Sequence, residues 1–416
     1  MNQTADRKKL LRYFSLVQLI YCGMHGWSFC NLYFRDIGFN GEQIGMMAAA
    51  GKLTGLFLLP VMGLLSDRRY SPRRILLAMI ALMIPLRLLL PVAGETIGAV
   101  FSVFLLLNAL NVPMSMVGSV MLDAWSGDAA DRIGLPYGSI RLFGSIGYVA
   151  VSLINSALIG KVLPSWSYPV QIALMMIPSL LLIGSRRGAQ YTAPSIQAAS
   201  AEKPKNSTLL KLVLRNYYFI AYLLLAMAYY TLSALCDLDI TYLLDEVHVS
   251  RSLAGVTGSC RAGTEAVVML LLCIAPELPP RWILLSATGI LTAAGHFLYI
   301  VWPTFAGVVI ADFIFGIAGG IFFCVGTNYV FDIVDRRATA TALSVVSVIL
   351  SLVGVAGAAV GGMMIEKFGV FALTTTAGIF ILILSLIFIA MTFTGRVIRK
   401  RPFASEVALM EKFPSK

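Results

Sequence analysis

Nine charged side chains fall well inside long apolar stretches of this 416-residue chain, Lys52, Arg87, Asp123, Arg141, Asp237, Asp239, Arg261, Glu265 and Asp312, together with the histidines His25 and His296. If those stretches lie in lipid, each charge costs at least about 2.5–3.5 kcal/mol at the bilayer centre, and so faces a wet cavity or a partner. Asp123 and Arg141 form the most informative pair. They stand at the near ends of consecutive stretches, where a bidentate carboxylate–guanidinium bond satisfies both. Such a pair either binds a solute or clamps two helices. Arg261 and Glu265 are one helical turn apart, the spacing at which side chains share a face. They either neutralise each other or turn to a solute. Two cations, Lys52 and Arg261, entering one cavity would suit an anion. Asp237 and Asp239 diverge by about 200° on a helix, so one can face a cavity while the other pairs elsewhere. A carboxyl kept partly protonated by burial can carry a coupled proton. Asp237, Asp239, Glu265 and Asp312 all qualify, and Arg87 could be a counter-ion to any of them. His25, between Gly23 and Gly26, either hydrogen-bonds a solute or is a core imidazole, and His296 offers less. Tyr148, Tyr229 and Tyr230 supply aromatic faces, as do Tyr21, Trp27, Tyr33 and Trp125, most of them for packing or an interfacial belt.

The elements that position these groups are transmembrane helices. The chain is 58% hydrophobic and only 13% charged, with a mean hydropathy of +0.83. A soluble domain carries roughly a quarter of its residues as Asp, Glu, Lys and Arg. Stretches long enough to cross a ~30 Å hydrocarbon core, about 20 residues each, lie near 12–34, 43–65, 75–94, 97–124, 138–164 and 168–184. Six more lie near 213–244, 252–275, 282–301, 304–331, 339–365 and 370–394. The first is too long for the core of a cleavable signal peptide. The six cysteines fall inside apolar segments with no CxxC spacing, which makes them small buried hydrophobes with no disulfide or metal framework.

The basic residues test that count. With both termini cytoplasmic, twenty-four of the 32 lysines and arginines fall on the cytoplasmic side and four, Arg35, Lys161, Arg251 and Lys367, on the other. The +11 net charge is therefore membrane topology, and no nucleic-acid partner is expected. The expected fold is an all-α integral membrane protein of twelve spans. Residues 1–184 form an N-terminal six-helix bundle, 185–209 a cytoplasmic linker, 210–394 a C-terminal six-helix bundle and 395–416 a cytoplasmic tail. A weak repeat agrees: at a shift of 209 residues Asp36 meets Asp245, Lys52 meets Arg261, Asp123 meets Asp332 and Gly160 meets Gly369. Transporters built from repeats bind substrate at the repeat interface near the bilayer midplane.

After the second stretch comes Gly63-Leu64-Leu65-Ser66-Asp67-Arg68-Arg69-Tyr70-Ser71-Pro72-Arg73-Arg74. A carboxylate among arginines in a short turn can cap a helix N-terminus and pair across the halves, or simply set topology. Gly63, Asp67, Arg68, Arg73 and Arg74 resemble the signature loop of the major facilitator superfamily. Tyr70-Ser71-Pro72 replaces the inner glycine and lengthens the turn by one residue. Met121-Leu122-Asp123-Ala124, followed by Tyr137-Gly138-Ser139-Ile140-Arg141-Leu142-Phe143-Gly144-Ser145-Ile146-Gly147-Tyr148, resembles the lactose-permease-like branch, which includes sugar and phenylpropionate permeases. That branch pairs an acidic residue with an arginine eighteen positions on and an aromatic seven further, matched by Asp123, Arg141 and Tyr148. Gly263-Thr264-Glu265, with Ala275-Pro276 ten residues on, resembles the branch's acidic substrate-binding position. The tenth stretch departs from the branch: Gly316, Gly319 and Gly320 stand where its histidine–glutamate proton site would fall, and the ninth has Ala294-Gly295-His296 near its arginine.

Together these imply a secondary transporter working by alternating access. A proton-coupled symporter of a small polar solute is expected, with a sugar or glycoside favoured by Asp123, Arg141 and Glu265. A small organic carboxylate is favoured by Lys52, Arg87 and Arg261. An efflux antiporter of amphipathic compounds, or a non-transporting receptor or lipid-moving protein on the same scaffold, is the alternative. The fifth stretch lacks the Pro–Gly–Gly pattern of drug exporters in the superfamily. The expected partners are a small-molecule substrate and membrane lipids around a monomer in the bacterial inner membrane. No cofactor is expected beyond the proton gradient, although in-membrane carboxylates suit sodium equally well. No nucleophile–base pair, metal cluster or nucleotide loop is recognisable, so the chain does not read as an enzyme. The glycines of the eleventh stretch, Gly354, Gly357, Gly361 and Gly362, read as close helix packing.

Overall fold

The computed structural model describes residues 3–23, 27–132, 134, 138–159, 161–192, 206–275, 277–335 and 338–407. At 3–6, 27, 28, 67, 68, 206–209, 232, 233, 236, 237, 239, 273 and 340 it describes the backbone alone. Lipid offers no partner for backbone N–H and C=O groups, so an apolar chain of this kind satisfies them within helices. The elements are α1 (Gln3–Gly23), α2 (Trp27–Asp36), α3 (Gly41–Arg68), α4 (Pro72–Ile97), α5 (Phe101–Arg132), α6 (Gly138–Leu158), α7 (Ser167–Gly184), α8 (Arg186–Gln190), α9 (Asn206–Leu214), α10 (Tyr217–Glu246), α11 (Ala254–Ile274), α12 (Arg281–Val301), α13 (Phe305–Ile333), α14 (Thr339–Phe368) and α15 (Val370–Phe393). Among the described residues nine helices are long and apolar enough to cross a membrane: α3 to α7 and α12 to α15. The apolar helices α1, α10 and α11 carry more polar positions and fall where the remaining spans are expected.

The helices gather into two compact units. The first comprises Met1–Ala199, Asp237–Gly263 and Ala358–Lys367. Within it α1 packs along α6, α3 along α5, and α4 between α5 and α7. Glycine sets the closest crossings. A β-carbon at Gly147 would collide with the Leu19 carbonyl, and one at Gly45 would lie 2.5 Å from the Ala358 carbonyl oxygen and 2.8 Å from Gly362 Cα. Small residues four apart on α3 and α14 thus bring those helices into backbone contact, the role expected of Gly362. The same end of this unit holds an ion cluster. Arg35 Nη2 lies 2.5 Å from Asp245 Oδ2, and its guanidinium stacks 3.8 Å from the Tyr242 ring centroid. Arg251 lies 2.6 Å from Asp245 and 3.7 Å from Asp36, so the two carboxylates related by the 209-residue shift share one guanidinium. The Asp245 carboxyl sits below its ordinary range: burial raises it, and the hydrogen bonds from Arg251 and Arg35 outweigh burial. The Gly41 amide donates to Glu366 Oε2 at 2.9 Å.

The second unit comprises Ser200–Cys236, Thr264–Gly357 and Phe368–Lys416. Here α12 packs against α13 and α15, with Gly289 against Ser385 and Gly378 against His296 and Phe297. Its chain end folds back on itself. Arg396 makes a fork to Glu406 at 2.7 and 2.8 Å and stacks 4.1 Å from the Phe403 ring centroid. The Phe403 ring stands edge-on to Tyr218 and Tyr329.

The signature-like loop lies at the α3–α4 turn. Arg73 uses its guanidinium to satisfy carbonyls at the end of α7, donating to Ile183 O at 2.8 Å and Ser185 O at 3.3 Å. Tyr13 adds a third such bond, to Leu182 O at 2.8 Å. Cations and hydroxyls suit a helix C-terminus, whose last carbonyls have no helical partner. The α4 N-terminus is started by Ser71 and Pro72 at its first position, with no side-chain cap bond. The Asp67 and Arg68 side chains lie outside the described residues.

Candidate substrate site

Three helices of the first unit build the site around Asp123. The Arg141 Nε lies 3.8 Å from Asp123 Oδ1, with the two side chains 42% and 46% exposed. This corrects the expected bidentate bond: charge-assisted hydrogen bonds of that kind run about 2.7–2.9 Å, so the pair is a loose ion pair. Both groups also have neighbours on α1. Gln18 is fully buried, and its amide nitrogen donates to Asp123 Oδ1 at 3.4 Å and to Ser126 Oγ at 3.3 Å. The Ser126 hydroxyl donates to Leu122 O at 2.6 Å, leaving its lone pairs for Gln18. One turn along α1, the Cys22 thiol donates to Gln18 Oε1 at 3.2 Å and accepts from Arg141 Nη1 at 3.9 Å. The carboxylate and the guanidinium are thus each held from α1. Gly144 makes the room: a β-carbon there would lie 2.6 Å from Arg141 Nη1, 2.9 Å from Cys22 Sγ and 3.1 Å from Gln18 Oε1.

Gln18, Cys22, Ser126 and Gly144 were not legible as site residues from the sequence. Each is a small or neutral residue on an apolar helix, and the cysteine reads as a buried hydrophobe. The corrected reading makes Cys22 a hydrogen-bonding member of the site, and Cys30 likewise accepts from Arg87 Nη1 at 3.2 Å. Arg87 is 3% exposed on α4, so its close neighbour is a thiol on α2. The Tyr148 hydroxyl oxygen lies 3.0 Å from where a β-carbon on Gly258 would stand. It thus faces α11 one turn before Arg261. Ser259 on α11 also reaches α6, its hydroxyl 3.3 Å from Val149 O. Lys52, on α3, and Arg261 are both half-buried within this unit.

The second unit holds its own acidic group. Glu265 Oε2 and the Tyr229 hydroxyl each come within 2.8 Å of the position a β-carbon on Gly319 would take. The Gly319–Gly320 step therefore fills no proton-site role itself and makes room for a carboxylate and a phenol. Tyr229 stacks on Phe322 with centroids 4.3 Å apart, and Tyr230 stands edge-on to the same ring. On α12 and α13, His296 is 0% and Asp312 3% exposed. The imidazole lies against Phe315 and Tyr299, and neither of its nitrogens has a hydrogen-bond partner among the described residues. His25 and the Asp237 and Asp239 side chains lie outside the described residues. No group of three or more potential metal ligands occurs among the described residues.

Comparison with known proteins follows from this arrangement. A probable 3-phenylpropionic acid transporter of Escherichia coli strain K12 is 30% identical over 219 residues, 50% of this chain and 53% of that protein. The match thus spans about half the length of that curated relative. A point mutant of the nucleoside transporter NupG superposes with a TM-score of 0.77 at 15% identity, covering 92% of this chain and 99% of that one. A bacterial homologue of the human lysosomal transporter Spinster, inward-facing and unoccupied, gives 0.70 at 14% identity over 96% and 98%. At those identities the likeness is one of fold alone. Over residues 11–375 the sequence matches the model of the MFS_1 like family, and the chain belongs to that family of major facilitator transporters.

Proposed function

We propose that this chain imports a small organic carboxylate, an aryl-substituted one in first place, together with a proton. Twelve spans in two halves, residues 1–184 and 210–394, with both termini in the cytoplasm of a bacterial cell, complete the reading. The observation that carries it is the loose pair of Asp123 and Arg141, in which a half-exposed guanidinium stands 3.8 Å from its counter-ion. A planar fork matches a carboxylate in two parallel hydrogen bonds. A substrate carboxylate exchanges for Asp123 on Arg141. Asp123, released from Arg141, is in this reading the acceptor of the coupled proton. Substrate and proton then bind together, and the anion's charge and the proton's charge cancel, so loading leaves the net charge of the site unchanged. Lys52 and Arg261, on the same unit, add to the attraction for an anion. The partial likeness to a phenylpropionic acid transporter supports the aromatic carboxylate class.

A sugar or glycoside is the second reading, favoured by the convergence of Glu265 and the Tyr229 hydroxyl on Gly319, since carboxylates and phenols hydrogen-bond hydroxyls. Uptake of labelled 3-phenylpropionate, benzoate and a β-galactoside into cells expressing the chain separates the two. The account expects accumulation of the aryl carboxylate, collapsed by an uncoupler. Accumulation of the galactoside alone would favour the second reading, and export of amphipathic compounds would replace both.

A further inference from the structure

The last helix of each compact unit is tied to the first in the same way. In the first unit the Tyr13 hydroxyl on α1 donates to Leu182 O, two residues before the end of α7, at 2.8 Å. In the second, the Tyr217 hydroxyl on α10 donates to Met391 O, two residues before the end of α15, at 3.0 Å. The two acceptors are related by the 209-residue shift that relates Asp36 to Asp245.

Beyond each final helix the chain turns back and sets an aromatic ring against its own unit. The Tyr191 ring centroid lies 5.3 Å from that of Tyr13 and 6.0 Å from that of Phe14. Phe403 lies 4.8 Å from Tyr218 and 5.6 Å from Tyr329. A glycine in each turn admits a tyrosine: a β-carbon on Gly188 would stand 2.6 Å from the Tyr13 hydroxyl, and one on Gly395 2.8 Å from that of Tyr218. An arginine already paired with a carboxylate holds each turn by a carbonyl. Arg132, paired with Asp128, donates to Tyr191 O at 2.8 Å. Arg396, paired with Glu406, donates to Arg401 O at 3.3 Å.

We propose that residues 185–192 and 395–407 are a repeated pair of straps, each clamping the first and fourth helices of its unit and setting, from outside the site, the packing beneath that unit's acidic group. Rings carry the contact inward in both. Phe14 on α1 lies 4.7 Å from Trp125 on α5, and one turn further along α1 Gln18 bonds Ser126 and Asp123. In the second unit Tyr329 lies 5.8 Å from Tyr222, and Phe322 stacks on Tyr222 and on Tyr229. The Tyr229 hydroxyl then shares the space at Gly319 with Glu265. Ring pairs are directional contacts between large, stiff groups, and a close-packed interior transmits strain. With the outermost ring gone, Phe14 and Trp125 relax outward, and α1 loosens against α5 where Gln18 meets Ser126. Binding must then also order that contact, which weakens affinity.

The inference borrows from the anion reading only its probe. The test uses the purified full-length chain, with hydrogen exchange followed helix by helix and 3-phenylpropionate binding followed by calorimetry. Tyr191→Ala should speed exchange in α1 and α5 and weaken binding about threefold or more, the worth of one ring contact. Tyr191→Phe keeps the ring and should match wild type in both readouts. Phe403→Ala should speed exchange in α10 and α13 and leave α1 and α5 as they are, which distinguishes a strap acting on its own unit from general loosening. Unchanged exchange in α1 and α5 of Tyr191→Ala overturns the strap, as does a Tyr191→Phe variant as loose as Tyr191→Ala. Faster exchange with wild-type affinity overturns the strap's hold on the site. If the wild-type chain binds no 3-phenylpropionate, the anion reading fails, and the exchange rates of the two alanine variants still decide whether the straps exist.

Discussion

In the proposed mechanism Arg141 is the residue on which binding turns, because lysine cannot reproduce it. A lysine ammonium is a point charge on a flexible stem, without the planar fork that meets a carboxylate twice. Arg141→Lys should therefore lower uptake of an aryl carboxylate by at least tenfold with expression and melting temperature preserved, checked by labelled uptake; wild-type uptake would remove Arg141 from the site. The sequence pointed to Asp123, Arg141 and Tyr148 because charges are rare in apolar helices and their spacing is conspicuous. It could not point to Gln18 or Cys22. One neutral amide and one thiol among leucines look like ordinary helix-packing residues, and only the three-dimensional meeting of α1 with α5 and α6 gives them partners. Gly319 and Gly320 behave similarly: in the sequence they mark a missing proton site, and in the fold they are the space that Glu265 and Tyr229 occupy.

At the scale of elements, glycine and charge placement govern how helices meet. The Leu19 carbonyl on α1 lies where a β-carbon of Gly147 would be, so Gly147→Val forces α1 and α6 apart. Overpacking of this kind costs about 1–3 kcal/mol, and should appear as a lower melting temperature and, because α1 carries Gln18 and Cys22, as weaker substrate binding too. The ion cluster of Arg35, Asp36, Asp245 and Arg251 makes a pH-dependent contribution. Asp245 titrates below an ordinary carboxyl because the hydrogen bonds from Arg251 and Arg35 outweigh the upward push of burial. A depressed folded-state value means stability present above the unfolded carboxylate range and lost as pH falls through the lowered value. Asp245→Asn should therefore melt lower than wild type at pH 7, and the gap should close progressively below about pH 4. A gap that stayed constant through that range would show the contacts to be non-electrostatic. Nine of the helices, α3 to α7 and α12 to α15, were legible from apolar run length. The pairing of α3 with α14 through Gly45, Ala358 and Gly362 was legible only as a small-residue pattern without a partner, since helix spacing does not say which neighbour a flat face meets.

At the scale of the molecule, composition decided the class: a chain 58% hydrophobic and 13% charged, with most of its basic residues between its apolar runs, reads as a multi-pass membrane protein, and the family match over residues 11–375 agrees. What a sequence of this kind does not encode locally is the solute, because a substrate is recognised by side chains drawn from helices far apart in the chain. The central claim of the proposal is that one proton enters with each carboxylate exchanged at Arg141. The measurement that tests it most directly is proton movement into vesicles containing the purified chain and a pH dye, on addition of 3-phenylpropionate with no imposed gradient. The account predicts a substrate-dependent acidification of the lumen that is absent in Arg141→Lys and lost in Asp123→Asn vesicles that still bind the substrate. Substrate entry with no proton movement, or equal acidification in the Asp123→Asn vesicles, would contradict it.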